Sequence, residues 1–221
     1  MSDRVASGVF FTLPESLPRG RHGLSREEVS AAHRERLMIA ATELMAADGY
    51  RGVGVREVCS HASVSQAAFY ACFPDKDACI YAAYERFIAV LTDRLVATGP
   101  KSGEQWTAYV AGVLRVYFGT VQQDLVAARA FLVEMEGLGR EARRRRREAL
   151  TVMAGFICVK REEWYPAAGG KVPLSAYIGA VYALRQIACD ALDEQEQPDL
   201  LAMVPEVAAW VSRMLEAPAG R

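Results

Sequence analysis

Ser65, Gln66, Phe69 and Tyr70 bring a hydroxyl, an amide and two aromatic rings into six consecutive positions, and Lys76 follows six residues later. A glutamine amide can bridge an adenine edge, a serine hydroxyl suits several base edges, and lysine or tyrosine can reach a phosphate oxygen. Arg36 and Arg51 are cations near enough in sequence to join them. Plainer readings stand beside these: Gln66 can close a capping box on Ser63, Tyr70 can lie half-buried between helices, and Lys76 can simply be solvated. Enzyme chemistry has no comparable support. The chain holds no GxGxxG, Walker, HExxH or GxSxG pattern, and His22, His33 and His61 lie near no nucleophile motif. Five cysteines (Cys59, Cys72, Cys79, Cys158 and Cys189) lack metal-ligand spacing and read as reduced thiols. No catalytic residue, metal site or cofactor is expected.

Three short helices must position those groups. Leu37, Ala40, Ala41 and Leu44 recur at i, i+3, i+4 and i+7, the stripe of an amphipathic helix. Gly49 is the expected left-handed stop, with Tyr50 folding back on the stripe. Val55, Val58, Cys59 and Ala62 repeat the spacing over about two turns. Ser63, with Gln66 three residues on, predicts the N-cap of a third helix, which Pro74 ends. Two short helices joined by a turn of about three residues form a helix-turn-helix.

This stretch resembles the DNA-binding domain of the TetR/AcrR family of bacterial repressors. The resemblance rests on Arg36, Leu37, Ala40, Ala41, Leu44, Gly49 and Tyr50, then Val55, Val64-Ser65, Phe69-Tyr70, Phe73-Pro74 and Lys76-Asp77. It implies that Tyr70 and Lys76 reach phosphates and that Ser65, Gln66 and Phe69 face the groove. Gly54 departs from the pattern, standing where a threonine or serine often touches a phosphate, and Ser63 stands where the turn usually has glycine.

The net charge of −1 excludes a bulk nucleic-acid binder. From Arg19 to Lys76 the basic residues are met by a similar number of acids, so binding must come from local placement. No apolar run is long enough to span a membrane and no leader pattern is visible, so a cytoplasmic location is expected. The expected division is a flexible N-terminal arm over 1–24, a helix-turn-helix domain over 25–80, and a helical ligand-binding and dimerisation domain over 81–221. Within the arm, LPRGRHG reads equally as a tail or as a phosphate-touching segment. Ser25, followed by acids, predicts the start of the first helix, and Asp75 caps a fourth running to about Thr98.

Further helices are predicted over 104–123, 125–137, 141–165, 174–192 and 199–216, and no β-alternation appears; the fold class is all-α. Trp106, Tyr109, Phe118, Phe131, Glu134, Met135, Phe156 and Tyr177 are the candidate lining of a small-molecule pocket, although most such residues serve as core. Arg143 to Arg147 point around more than one helical turn and cannot form a single DNA-facing stripe. The family resemblance implies a homodimer through the last two helices, with Tyr177, Val181, Leu184, Val207, Trp210, Val211 and Met214 at the seam. The expected partners are double-stranded operator DNA and a largely apolar effector. A thiol switch at Cys72, or a helical interaction protein without operator binding, are the competing readings.

Overall fold

The computed structural model describes residues 4–14, 25–166 and 172–216. All helices expected from the sequence are present, and the sole β pairing among the described residues is an isolated bridge between Ser7 and Phe11. The chain divides into two compact units: Met1–Val90 with Gln123–Leu138, and Leu91–Gln122 with Gly139–Arg221. The boundary expected at residue 80 falls instead near residue 90, and the internal segment Gln123–Leu138, expected in the ligand domain, groups with the first unit.

In the first unit, α1 spans Arg26–Gly52. Ser25 Oγ accepts the Glu28 amide and the Glu28 carboxylate accepts the Ser25 amide, a reciprocal cap that satisfies two otherwise orphaned donors. Gly49 breaks the helical geometry at φ +67°, and a β-carbon there would stand 2.9 Å from Glu134 Oε2. The left-handed backbone there favours glycine, with the Glu134 carboxylate close by. Beyond the kink come α2, Val55–Ala62, α3, Gln66–Cys72, and α4, Lys76–Val96. Asp75 Oδ1 accepts the Ala78 amide at 2.8 Å, as the sequence predicts for the start of α4.

The internal segment begins as α6, Leu125–Ala128, passes into a π-helical turn, Arg129–Val133, and ends in a 3-10 turn, Glu134–Leu138. It packs on α1. Phe131 is 2% exposed and sits 5.2 Å from the Phe87 ring and 6.0 Å from Tyr84. Phe131 and Met135 are thus core residues of the first unit, and Glu134 lies beside Gly49. None of the three lines the cavity described below, because this stretch packs on the first helix and not among the later ones.

Residues 4–14 also depart from the flexible arm expected of them. They form a strap: Val5, Phe10 and Phe11 are buried, and Phe10 packs against Phe87 in a tilted pair with ring centroids 4.5 Å apart. Burial of each phenylalanine stabilises by about 1.5–3 kcal/mol, enough to hold a short segment down. The rest of the expected arm, 15–24 with its basic LPRGRHG, lies outside the described residues.

In the second unit, α5 (Trp106–Gln123), α7 (Arg140–Trp164), α8 (Leu174–Glu194) and α9 (Val204–Leu215) supply the core together with the end of α4. A short 3-10 turn, Leu201–Met203, leads into α9. Trp106, Tyr109, Trp164 and Tyr165 form an aromatic cluster, with Tyr109 and Trp164 stacked at 5.1 Å. Buried Arg161 donates from Nε to the Leu215 carbonyl at 2.8 Å, closing the last turn of α9.

Candidate nucleic-acid interface and effector cavity

α3 is fixed from behind and open in front. Phe69 is fully buried, 6.0 Å from the Phe73 ring, whereas the neighbouring Tyr70 is 57% exposed. Ser65, Gln66 and Ala71 are exposed with it. Phe69 therefore leaves the group of outward-facing candidates, because its ring is spent in the core behind the helix. It anchors the helix that carries the others.

The cap also differs from expectation. Ser63 does not open α3; it closes α2 in the left-handed conformation (φ 54°, ψ 43°), and Ser65 Oγ caps α3 by accepting the Ala68 amide at 3.2 Å. Gln66 is the first residue of α3, so it cannot close a capping box on Ser63 and its amide is left outward. Gly54, the N-cap of α2, makes no side-chain cap, and a β-carbon there would collide with Glu57 Oε2.

Three contacts lock the helix-turn-helix to its neighbours. Arg34 donates to the Cys72 carbonyl at 3.1 Å and lies 4.3 Å from the Phe73 ring centroid. Tyr50 donates to Asp77 Oδ1 at 2.8 Å, and burial together with that carboxylate pushes its phenol up to about 12. Lys76 donates to the Val53 carbonyl at 2.9 Å and sits 4.1 Å above the Tyr50 ring. Lys76 is thus engaged within the unit, neither simply solvated nor free for a phosphate. Arg51 is exposed and Arg36 half-buried.

A fourth contact ties the strap to α2. The Glu43 carboxylate, 2% exposed, accepts the Val5 amide and Arg4 Nη1, both at 3.0 Å, and lies 2.6 Å from His61 Nε2. Nothing in the spacing of Glu43 announced it. A lone acid inside the apolar stripe of α1 was the available signal.

The second unit holds an apolar cavity of about 140 Å³ that opens to solvent at its mouth. Its walls are Leu95, Leu114, Leu150, Met153, Phe156, Ile157, Val181 and Leu184; Thr92 and Tyr117 supply the hydroxyls of the lining. Val96 and Val152, 54% and 64% exposed, form its lip. A second hollow shares Val113, Leu114, Phe156, Ile157 and Leu184 with it and runs on to Trp106, Tyr109, Val211 and Leu215. Of the predicted pocket residues, Phe156, Trp106 and Tyr109 line these spaces, while Phe118 and Tyr177 are packed core at 0% and 1% exposure.

Most of the expected seam residues also turn inward. Tyr177, Val181, Leu184, Val207 and Val211 are buried within the protomer, leaving Trp210 half-buried and Met214 39% exposed. The most apolar stripe of each helix faces its own core, as burial energetics demand.

Residues 37–83 match the family model described as bacterial regulatory proteins, tetR family. Among solved structures, the fatty acid degradation regulator FadR from Bacillus halodurans has a TM-score of 0.70 at 16% identity, covering 86% of this chain and 97% of its own. The transcriptional regulator FadR from Bacillus subtilis in complex with stearoyl-CoA gives 0.68 at 16% identity, covering 83% and 98%. A tetR-family regulatory protein from Rhodococcus RHA1 gives 0.60 at 18% identity, covering 85% and 98%. No curated protein sequence matches the chain.

Proposed function

We propose that this chain, whose residues 37–83 match the tetR family of bacterial regulatory proteins, is a repressor that binds a palindromic operator as a homodimer and releases it on binding a largely apolar effector. The observation that carries the DNA-binding half is the division of α3 between buried Phe69 and exposed Ser65, Gln66 and Tyr70. A helix so anchored presents its polar groups to a major groove without rotating away. Tyr70 is the assigned phosphate contact and Gln66 the base reader, with Arg51 and Arg36 as supporting cations. Lys76 acts by holding the end of α1 in place.

The apolar cavity supports the effector half, and the stearoyl-CoA bound by the Bacillus subtilis neighbour agrees with a hydrocarbon-bearing ligand. An effector can release DNA only through its differential affinity for two states, and DNA must weaken effector binding by the same factor. Dimerisation is assigned to the outward faces of α8 and α9, where Gly179, Tyr182, Ala183, Trp210 and Met214 remain accessible. One short helix touches too few bases to be selective, so a two-fold partner is needed. No described helix is long and apolar enough to cross a membrane.

The test is Tyr70→Ala. We expect operator binding to fall at least about tenfold, equivalent to about 1.4 kcal/mol, with unchanged helix content and oligomeric state. Wild-type operator affinity in the variant overturns the groove assignment.

A further inference from the structure

The cavity of the second unit is selective by charge as well as by apolarity. α4, α5, α7 and α8 each turn a pair of residues at helical spacing toward it, Met153 and Phe156 from α7 among them. Among the described residues no aspartate, glutamate, lysine, arginine or histidine lines it. Lys160 borders only the smaller hollow alongside, and there it already pairs with Glu163 at 2.8 Å. A carboxylate or phosphate drawn into the cavity would give up its hydration and meet no cation in return, which strongly disfavours a charged ligand.

Size narrows the choice further. The cavity measures about 140 Å³ and the hollow beside it about 50 Å³. An apolar cavity of about 150 Å³ lined by leucine, isoleucine and phenylalanine takes up benzene. A long acyl chain would have to leave most of its carbons in water beyond the Val96 and Val152 lip, which forfeits the apolar burial that drives binding. The walls also suit a flat ring better than a short chain. Phe156 and Tyr117 can meet such a ring edge to face, and the Met153 sulfur adds a polarisable contact at a ring edge. The hydroxyls of Thr92 and Tyr117 are enough to orient one polar substituent.

We propose that the effector is a small uncharged aromatic molecule, a single benzene ring carrying short alkyl groups and at most one hydroxyl or carbonyl. This rests on the effector reading above and narrows it. With the stearoyl-CoA of the Bacillus subtilis neighbour such a ligand shares only its hydrocarbon character. The phosphates and the long chain of an acyl-CoA find here neither the cations nor the room that they need.

The experiment is titration calorimetry of the full-length protein at neutral pH with three probes: 4-ethylphenol, 4-ethylbenzoate and stearate. The first two are alike in size and differ in charge, because a phenol stays protonated at that pH and a benzoate does not. Wild type should bind 4-ethylphenol at least about tenfold more tightly than either anion, with an affinity that salt leaves unchanged, and the bound phenol should release the operator. Val113→Phe pushes a ring into the wall shared by the two hollows and should weaken 4-ethylphenol binding at least about tenfold, with circular dichroism confirming the fold. Should that variant fail to fold, the ranking of the three probes on wild type still decides. Preference for stearate, or equal binding of the phenol and the benzoate, overturns the proposed class and leaves the cavity as an effector site. Undiminished 4-ethylphenol binding by folded Val113→Phe places the ligand elsewhere and overturns the assignment to this cavity. Binding without operator release overturns the role of effector, and failure to bind any of the three overturns this proposal and the effector reading together.

Discussion

The two units are held together by different physics. In the first, directional contacts set the position of each helix: Glu43 gathers Val5, Arg4 and His61, Tyr50 meets Asp77, Lys76 and Arg34 close carbonyl ends, and Ser25 and Ser65 cap helices. In the second, aliphatic and aromatic packing does most of the work and shapes an apolar cavity. A DNA-reading helix has to arrive at one orientation, and hydrogen bonds specify orientation. A cavity for an apolar ligand needs only shape and apolarity, which many side-chain sets supply.

That contrast can be broken at several points. The largest effect should come from Trp210→Glu, which puts a carboxylate on each side of the assigned two-fold seam. A desolvated, unpaired charge costs several kcal/mol, so the variant should sediment as a monomer and lose detectable operator binding. A stable dimer with normal operator affinity would move the seam to α8 alone. Next comes Glu43→Ala, which strips the buried Val5 amide of its acceptor and frees the strap. An unsatisfied buried donor costs about 1–3 kcal/mol, measurable as a lower urea midpoint at unchanged slope. A loss below about 0.5 kcal/mol would mean that the Glu43 contacts are not what holds the strap.

Gln66→Ala should cost about 1–3 kcal/mol at a single base pair and relax preference there, with little change in melting temperature. A uniform loss across all sequences would remove it from base reading. The smallest effect belongs to the cavity wall. Leu114→Met conserves volume and should change stability by less than about 1.5 kcal/mol, with effector affinity nearly kept. A large loss would show that the second unit is as directionally specified as the first.

The same contrast decides what could be read from the sequence. The helix-turn-helix was legible because caps, kinks and buried rings leave particular residues at particular spacings: Ser25, Gly49, Asp75 and the Phe-Tyr pair. The register of α3 slipped by two residues because Ser63 and Ser65 are both competent caps. Only the left-handed backbone at Ser63 separates them. The cavity was legible as a property of the second unit but not residue by residue. Phe118, Tyr177 and Phe156 look alike in sequence, and their roles depend on which neighbour fails to fill the space beside them. The assignment of Phe131 to the first unit depended on a non-local contact with Phe87, which helical periodicity does not carry. For the seam, periodicity picked the most apolar stripe, and folding had already claimed that stripe for the core.

The strap and the returning segment alter what counts as a transferable module. The family-matching segment, 37–83, omits Val5, Phe10 and Phe11 on one side and Phe87 and Phe131 on the other, all of them core of the same unit. A fragment trimmed to 25–80 would expose the apolar surface that these rings cover and lose both donors of the strap to Glu43. Chimeras that graft this helix-turn-helix unit onto another helical domain would therefore need a three-piece splice. They would have to carry the first fourteen residues and the 123–138 stretch along with it.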